Sequence, residues 1–209
     1  MGRTSNAREG LISAAADELW QGSYGSVGVG SLCAAAGVKR GSFYYFFDSK
    51  DDLVLAALER SWARLRERFD ATLGDTAVAP LQRLPRLFEA IADLHDGFLQ
   101  ETGQVPGCPF GNLGVELGNS HPGIRERVAA IFGRAKARLQ TVLDEAREAG
   151  ELDADAGEIE RRAEQIFACL QGSQVLAKTH NDPDAIRRMA PVAVAIACGR
   201  AESAPALDA

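Results

Sequence analysis

Apolar residues along this chain recur three and four positions apart, and strand-like runs of Val, Ile and Thr are absent. That spacing predicts amphipathic helices from end to end. A first helix covers about Asn6–Trp20, with Leu11, Ile12, Ala15, Ala16, Leu19 and Trp20 as its buried stripe. Asn6 caps it and Glu9, three residues on, completes a capping box. Gly22-Ser-Tyr-Gly-Ser breaks it. A second helix covers roughly Val29–Ala36, with Gly28 as a weak cap and Gly37 as a left-handed stop. A third covers about Lys39–Phe46. Asp48 or Ser49 caps a long fourth helix, whose stripe is Leu53, Val54, Ala57, Leu58, Trp62, Leu65 and Phe69.

Gly74–Ala79 reads as a linker, and Pro80 suits the first turn of a fifth helix that buries Leu84, Leu87, Phe88, Ile91, Leu94 and Phe98. After a glycine- and proline-rich break from Gly103 to Pro109, a short sixth helix lies near Phe110–Gly118. The seventh covers Ile124–Ala149, the eighth about Ala156–Thr179 and the ninth about Pro183–Arg200. The expectation is an all-α chain of about nine helices. A three-helix head with a helix-turn-helix occupies 1–50, a larger helical body 51–200, and a disordered tail 201–209.

The composition supports a packed core, with 46% hydrophobic and 25% charged residues among 209. The net charge of −6 argues against a protein coated in nucleic acid. The charge is uneven, however. Residues 1–50 hold five basic residues (Arg3, Arg8, Lys39, Arg40, Lys50) against four acidic ones, a net +1, which leaves −7 on the remainder. Any nucleic-acid contact is therefore local to the head. Cys33, Cys108, Cys169 and Cys198 show neither CxxC pairing nor zinc spacing. Dispersed cysteines in a helical chain point to free thiols in a reducing compartment. With no basic-then-apolar leader and no apolar run long enough for a bilayer, a cytoplasmic location is expected.

The third helix carries the sharpest chemistry. Phe43 and the Phe46/Phe47 pair turn one way, toward Leu32, Ile12 and Leu19, leaving Lys39, Arg40, Ser42, Tyr44 and Tyr45 on the other side. Cations neutralise phosphates, arginine also grips guanine, and tyrosine hydroxyls donate to phosphate. Gly41 lets the helix approach a backbone closely. Lys50 sits in the first turn of the fourth helix, where a cation opposes the helix dipole, so a bound phosphate would explain it.

Ala34-Ala-Ala-Gly-Val-Lys-Arg-Gly-Ser-Phe-Tyr-Tyr-Phe-Phe-Asp-Ser-Lys-Asp-Asp-Leu resembles the signature of the TetR family of transcriptional repressors. The match covers residues 5 to about 53, while the body matches only in length and helix order. The resemblance implies a homodimer that sets two heads on successive major grooves of a palindromic operator and releases it when a small-molecule inducer enters the body. It also implies DNA contact by Lys39, Arg40, Ser42, Tyr44 and Tyr45, with Lys50 on a phosphate. The family usually has Ser or Thr where Gly28 stands, and Ser31 is the nearby hydroxyl left to replace it.

The body shows no catalytic constellation. His95, His121 and His180 are scattered, without HxxxH or HExxH spacing, so no metal and no cofactor is expected. His95-Asp96 reads either as a ligand pair or as a polar spot beside the core. By helix phase, Trp62, Leu65, Phe69, Phe88, Ile91, His95, Phe98, Cys108, Phe110, Asn112, Phe132, Phe167 and Gln171 are the candidate lining of a mainly apolar ligand pocket. Cys108 before Pro109 caps the sixth helix, where the positive helix end favours thiolate. Similar Gly-Cys-Pro segments occur in a subgroup of the family, some of whose members resemble sensors of electrophiles or oxidants. Cys108 is thus either a reactive sensor or, more plainly, an inert packing residue. Ile166, Leu170, Gln174 and Val175 with Met189, Val192, Ala193 and Ile196 form the candidate dimer face. Two other function classes compete: a thiol-dependent enzyme using Cys108, and a helical interaction module that does not bind DNA.

Overall fold

The computed structural model describes residues 2–25 and 28–200, with side chains from Asn6 onward. Among the described residues every regular element is a helix: α1 Gly2–Gln21, α2 Val29–Ala35, α3 Arg40–Phe46, α4 Lys50–Leu73, α5 Pro80–Thr102, α6 Pro109–Leu117, α7 Pro122–Glu148, α8 Ala156–His180, α9 Asp184–Arg187 and α10 Ala190–Ala197. The expected tail 201–209 lies outside the described residues. No helix among them is long and apolar enough to cross a membrane.

Two boundaries differ from the sequence reading for physical reasons. The first helix begins at Gly2, so Asn6 lies inside it and caps nothing. The expected ninth helix is two, α9 and α10, divided at Arg188 and Met189. Pro191 has no N–H to offer the Arg187 carbonyl, so a continuous helix loses a bond there, and proline instead occupies the first turn of α10. Elsewhere local chemistry sets the ends. The Ser49 hydroxyl accepts from Asp52 N–H at 3.1 Å while the Asp52 carboxylate accepts from Ser49 N–H at 3.0 Å. Asp155 and Glu158 make the same reciprocal box at the start of α8.

The chain forms two compact units. One comprises Met1–Leu65 with Pro106–Ile131, the other Arg66–Val105 with Phe132–Ala209. In the first, α2 packs on α1 and on α3. Leu11, Ala15, Leu32, Phe43 and Leu53 are wholly buried. Arg60 and Arg64 of α4 reach Glu9 and Asp17 of α1.

In the second unit α9 and α10 each pack against α5 and α8. Three clasps hold its connections. Buried Arg83 donates to the carbonyls of Val78 and Leu73, at 2.8 and 3.0 Å, and to Glu145. Asn181, left-handed at φ 52°, donates to Gly103 O and accepts from Val105 N–H, which pins the exit of α5 to the end of α8. Arg162, also buried, donates to Ala197 O at 3.1 Å. Gly199 beside it has φ 69°, and a Cβ there would stand 2.8 Å from an Arg162 nitrogen, so both backbone and space demand glycine.

Candidate nucleic-acid interface

Helix α2 ends as its sequence dictates. Gly37 takes φ 63° and donates to Ala34 O, and Val38 N–H reaches back to Cys33 O at 2.8 Å. This double return satisfies the last carbonyls of α2 and turns the chain at once into α3. Lys39 is the cap residue of α3, in extended backbone, and Arg40 is the first helical residue.

Helix α3 then sorts its aromatics. Phe43 is fully buried and Phe47 nearly so, their rings 5.8 Å apart, and Arg8 lies 5.3 Å over the Phe47 ring. Phe46 is only half-buried and meets the Tyr45 ring edge-on at 5.0 Å. On the opposite side Tyr44 is 62% exposed and Tyr45 76%. Lys39 and Arg40 are exposed and Ser42 half-buried. Gly41 is exposed, and an added Cβ there would meet nothing within 4 Å. The glycine is thus not required by packing inside the chain, although it weakens the helix. Ser31 is exposed, its hydroxyl donating to Gly28 O at 2.8 Å. The front of α3 therefore offers two cations and two phenols to solvent.

Lys50 departs from the sequence reading. Its ammonium donates to the Tyr24 carbonyl at 2.5 Å and lies 3.7 Å over the Tyr24 ring, which explains the cation without a phosphate. Burial pulls its pKa below the usual lysine value, opposed by the nearby carboxylates of Asp51, Glu116 and Glu18. Sequence reasoning missed the cluster around it. The Tyr24 hydroxyl donates to Asp51, and the Tyr24 and Gly25 amides both donate to Glu116, at 2.9 and 3.1 Å. The His121 ring stands 5.0 Å from that of Tyr24. Burial, with Asp51 adding to it, pushes the Tyr24 phenol up to about 12. The available signal was the single aromatic residue between the glycines of the first break.

The candidate ligand residues divide between the units. Trp62, Cys108 and Phe110 are buried, and Leu65 and Asn112 half-buried, in the first. Cys108 caps α6 as its sequence suggests, its sulfur accepting from Gly111 N–H at 3.4 Å. Asn112 donates to Pro106 O at 3.0 Å. In the second unit Phe69, Phe88, Ile91, His95 and Phe167 are buried and Phe98, Phe132 and Gln171 half-buried, with Phe132 and Phe167 edge-to-face at 5.0 Å. An open cleft of about 320 Å³ in that unit is lined by Phe69, Asp70, Leu73, Gly74, Arg138, Thr141, Val142 and Glu145. Apart from Phe69, it takes in none of the candidate ligand residues.

The candidate dimer face also needs correction. Ile166, Leu170, Gln174 and Ala193 are buried within their own chain and have no surface left for a partner. Helix α8 packs on α9 and on α10, and the periodic stripe is buried inside its own chain. Met189 and Ile196 are half-buried, and the large apolar side chains exposed on these helices are Val175, Leu176 and Val192. Among the described residues no three His, Cys, Asp or Glu side chains come together as a metal site.

Known proteins resemble this chain in sequence and in fold. The family described as "Bacterial regulatory proteins, tetR family" matches residues 11–57, and "Tetracyclin repressor-like, C-terminal domain" matches residues 80–192. The transcriptional regulator AcuR of Cereibacter sphaeroides is 34% identical over 86% of this chain and 80% of its own length. The HTH-type transcriptional repressor DhaR of Mycobacterium sp. strain GP1 is 30% identical over 83% of this chain and 82% of its own. The crystal structure of regulatory protein TetR from Rhodobacter sphaeroides superimposes with a TM-score of 0.78 at 29% identity, covering 90% of this chain and 97% of that one.

Proposed function

The chain belongs to the TetR family of bacterial regulatory proteins and is a ligand-responsive, DNA-binding transcriptional regulator; we propose that it represses by gripping a palindromic operator with the front of α3 and lets go when a small hydrophobic or electrophilic molecule enters its body. Lys39 and Arg40 neutralise phosphates or read guanine, Tyr44 and Tyr45 line the groove wall and donate to phosphate, and Ser42 and Ser31 add hydroxyls. Gly41 gives the duplex room to approach.

The observation that carries this reading is the exposure of Tyr44 and Tyr45 beside two solvent-facing cations on a helix whose other aromatics are buried. Each phenol meets one phenylalanine edge-on, yet most of its surface is left in water, and a groove gives it something to cover. Two chains pair through the exposed apolar residues of α8 and α10, Val175, Leu176 and Val192. The protein works in the cytoplasm, where the DNA is. AcuR and DhaR are regulators, and we assign this chain no catalytic step. An electrophilic inducer would meet the Cys108 sulfur at the start of α6.

The test is a gel shift with duplex from the chain's own upstream region. Binding that weakens steeply with salt and is lost in Tyr44→Ala supports the reading. A Tyr44→Ala protein with unchanged affinity removes α3 from the interface.

A further inference from the structure

Helix α5 has two faces. Leu84, Leu87, Phe88, Ile91, Ala92 and His95 are all buried, at the three- and four-residue steps of one stripe. Glu89, Asp93 and Asp96 follow a second stripe, and Arg187 of α9 holds all three, at 2.7, 2.6 and 2.7 Å. The apolar stripe thus closes on an imidazole with 0% of its surface exposed, and neither of its nitrogens has a hydrogen-bond partner within the protein. Among the described residues it is the one fully buried side chain with every polar atom unpaired. Asp96, the adjacent acid, is committed to Arg187.

A buried donor and acceptor left unmet cost stability that leucine or phenylalanine at the same place would not. No group of the fold supplies the missing partners, whereas a ligand would. We infer that His95 is the polar anchor of the inducer site, and that the inducer is an uncharged molecule with a hydroxyl or carbonyl oxygen on an apolar body. This rests on the reading of the chain as a ligand-responsive regulator.

The chemistry follows from the ring. Burial holds its pKa down to about 4, against an opposing pull from Asp96, so the imidazole is neutral at physiological pH. It then offers one N–H and one lone pair. A hydroxyl satisfies either and a carbonyl the N–H. A carboxylate or an ammonium entering the same apolar stripe would leave water without a counter-ion.

The test uses full-length protein and a matched series: toluene, benzyl alcohol, benzaldehyde, benzoate and benzylamine, titrated calorimetrically. Benzyl alcohol or benzaldehyde is expected to bind about tenfold tighter than toluene, the size of one net hydrogen bond, and tighter than either ion. His95→Leu erases that gap, while His95→Gln, which keeps a donor and an acceptor, retains it in part. The inference is overturned if toluene binds wild-type protein as well as benzyl alcohol, if an ion binds best, if no member of the series binds, or if the gap survives in His95→Leu. Operator binding by wild-type protein is measured in the same samples. Its absence sinks the regulator reading, whereas intact operator binding without any His95 dependence sinks this inference alone.

Discussion

The front of α3 and the buried stripe of α5 depart from folding economy in opposite ways. On α3 the excess is apolar and outside: Tyr44 and Tyr45 stand in solvent while Phe43 and Phe47 fill the core. On α5 the excess is polar and inside: His95 is wholly buried with nothing to bond. The clasps of Arg83 and Asn181 are finished by contrast, their side chains reaching named partners in the same chain. The difference teaches where to look for function in this molecule. Groups that the fold completes hold it together, and groups that it leaves incomplete await something from outside.

Loss of the α3 phenols has the largest effect. Replacing Tyr44 and Tyr45 together with alanine should weaken operator binding by about 3 kcal/mol, on the order of a hundredfold, by fluorescence anisotropy. The same variant should lose only about 1–2 kcal/mol of stability, the worth of two edge-to-face ring contacts with Phe43 and Phe46. A large drop in melting temperature would mean that the tyrosines belong to the core.

The buried site should behave in reverse. His95→Leu should raise stability by about 1–3 kcal/mol in urea unfolding. Burial holds the folded imidazole at about 4 against an ordinary 6.5, so the unfolded chain takes up the proton first as pH falls. The stability associated with the neutral ring is complete above about pH 6.5 and declines toward pH 4, by roughly 1.4 kcal/mol per unit. Wild-type protein should therefore lose stability faster than His95→Leu across that window. Parallel pH profiles for the two would show that burial does not hold the folded ring neutral.

The Arg162 clasp tests packing alone. Gly199→Ala places a methyl group against Arg162 and forces a left-handed alanine. It should cost about 1–2 kcal/mol in thermal unfolding while leaving operator affinity per folded molecule unchanged. The smallest effect belongs to Lys39→Ala. One lost phosphate contact should lower the slope of log affinity against log salt by about 1, with a severalfold loss at low salt. A slope that does not move would place Lys39 off the duplex.

Much of the fold was legible because helix phase is a local property. The sorting of Phe43 and Phe47 from Tyr44 and Tyr45 follows from spacing alone, as do Gly37 ending α2 and Cys108 capping α6. What failed was non-local or ambiguous. The first helix begins at Gly2, ahead of the cap-type Asn6, because a capping sequence permits a helix start without forcing one. Periodicity identifies an apolar stripe but not its partner, so Ile166 and Leu170 read like a face for a second chain and proved to be core. The helix dipole correctly marked Lys50 as needing an explanation, but its partner, the Tyr24 carbonyl, lies 26 residues away. Pro191 was a missed local signal, since it predicts the break before α10.

The chain has three tyrosines, which makes a direct measurement possible. Protein labelled with 3-fluorotyrosine gives one fluorine resonance each for Tyr24, Tyr44 and Tyr45. On titration with operator duplex, Tyr44 and Tyr45 should shift and lose their solvent isotope effect, while Tyr24, held by Asp51, changes little. Resonances of Tyr44 and Tyr45 that stay at their free positions when the duplex is fully bound would contradict DNA recognition by the α3 front.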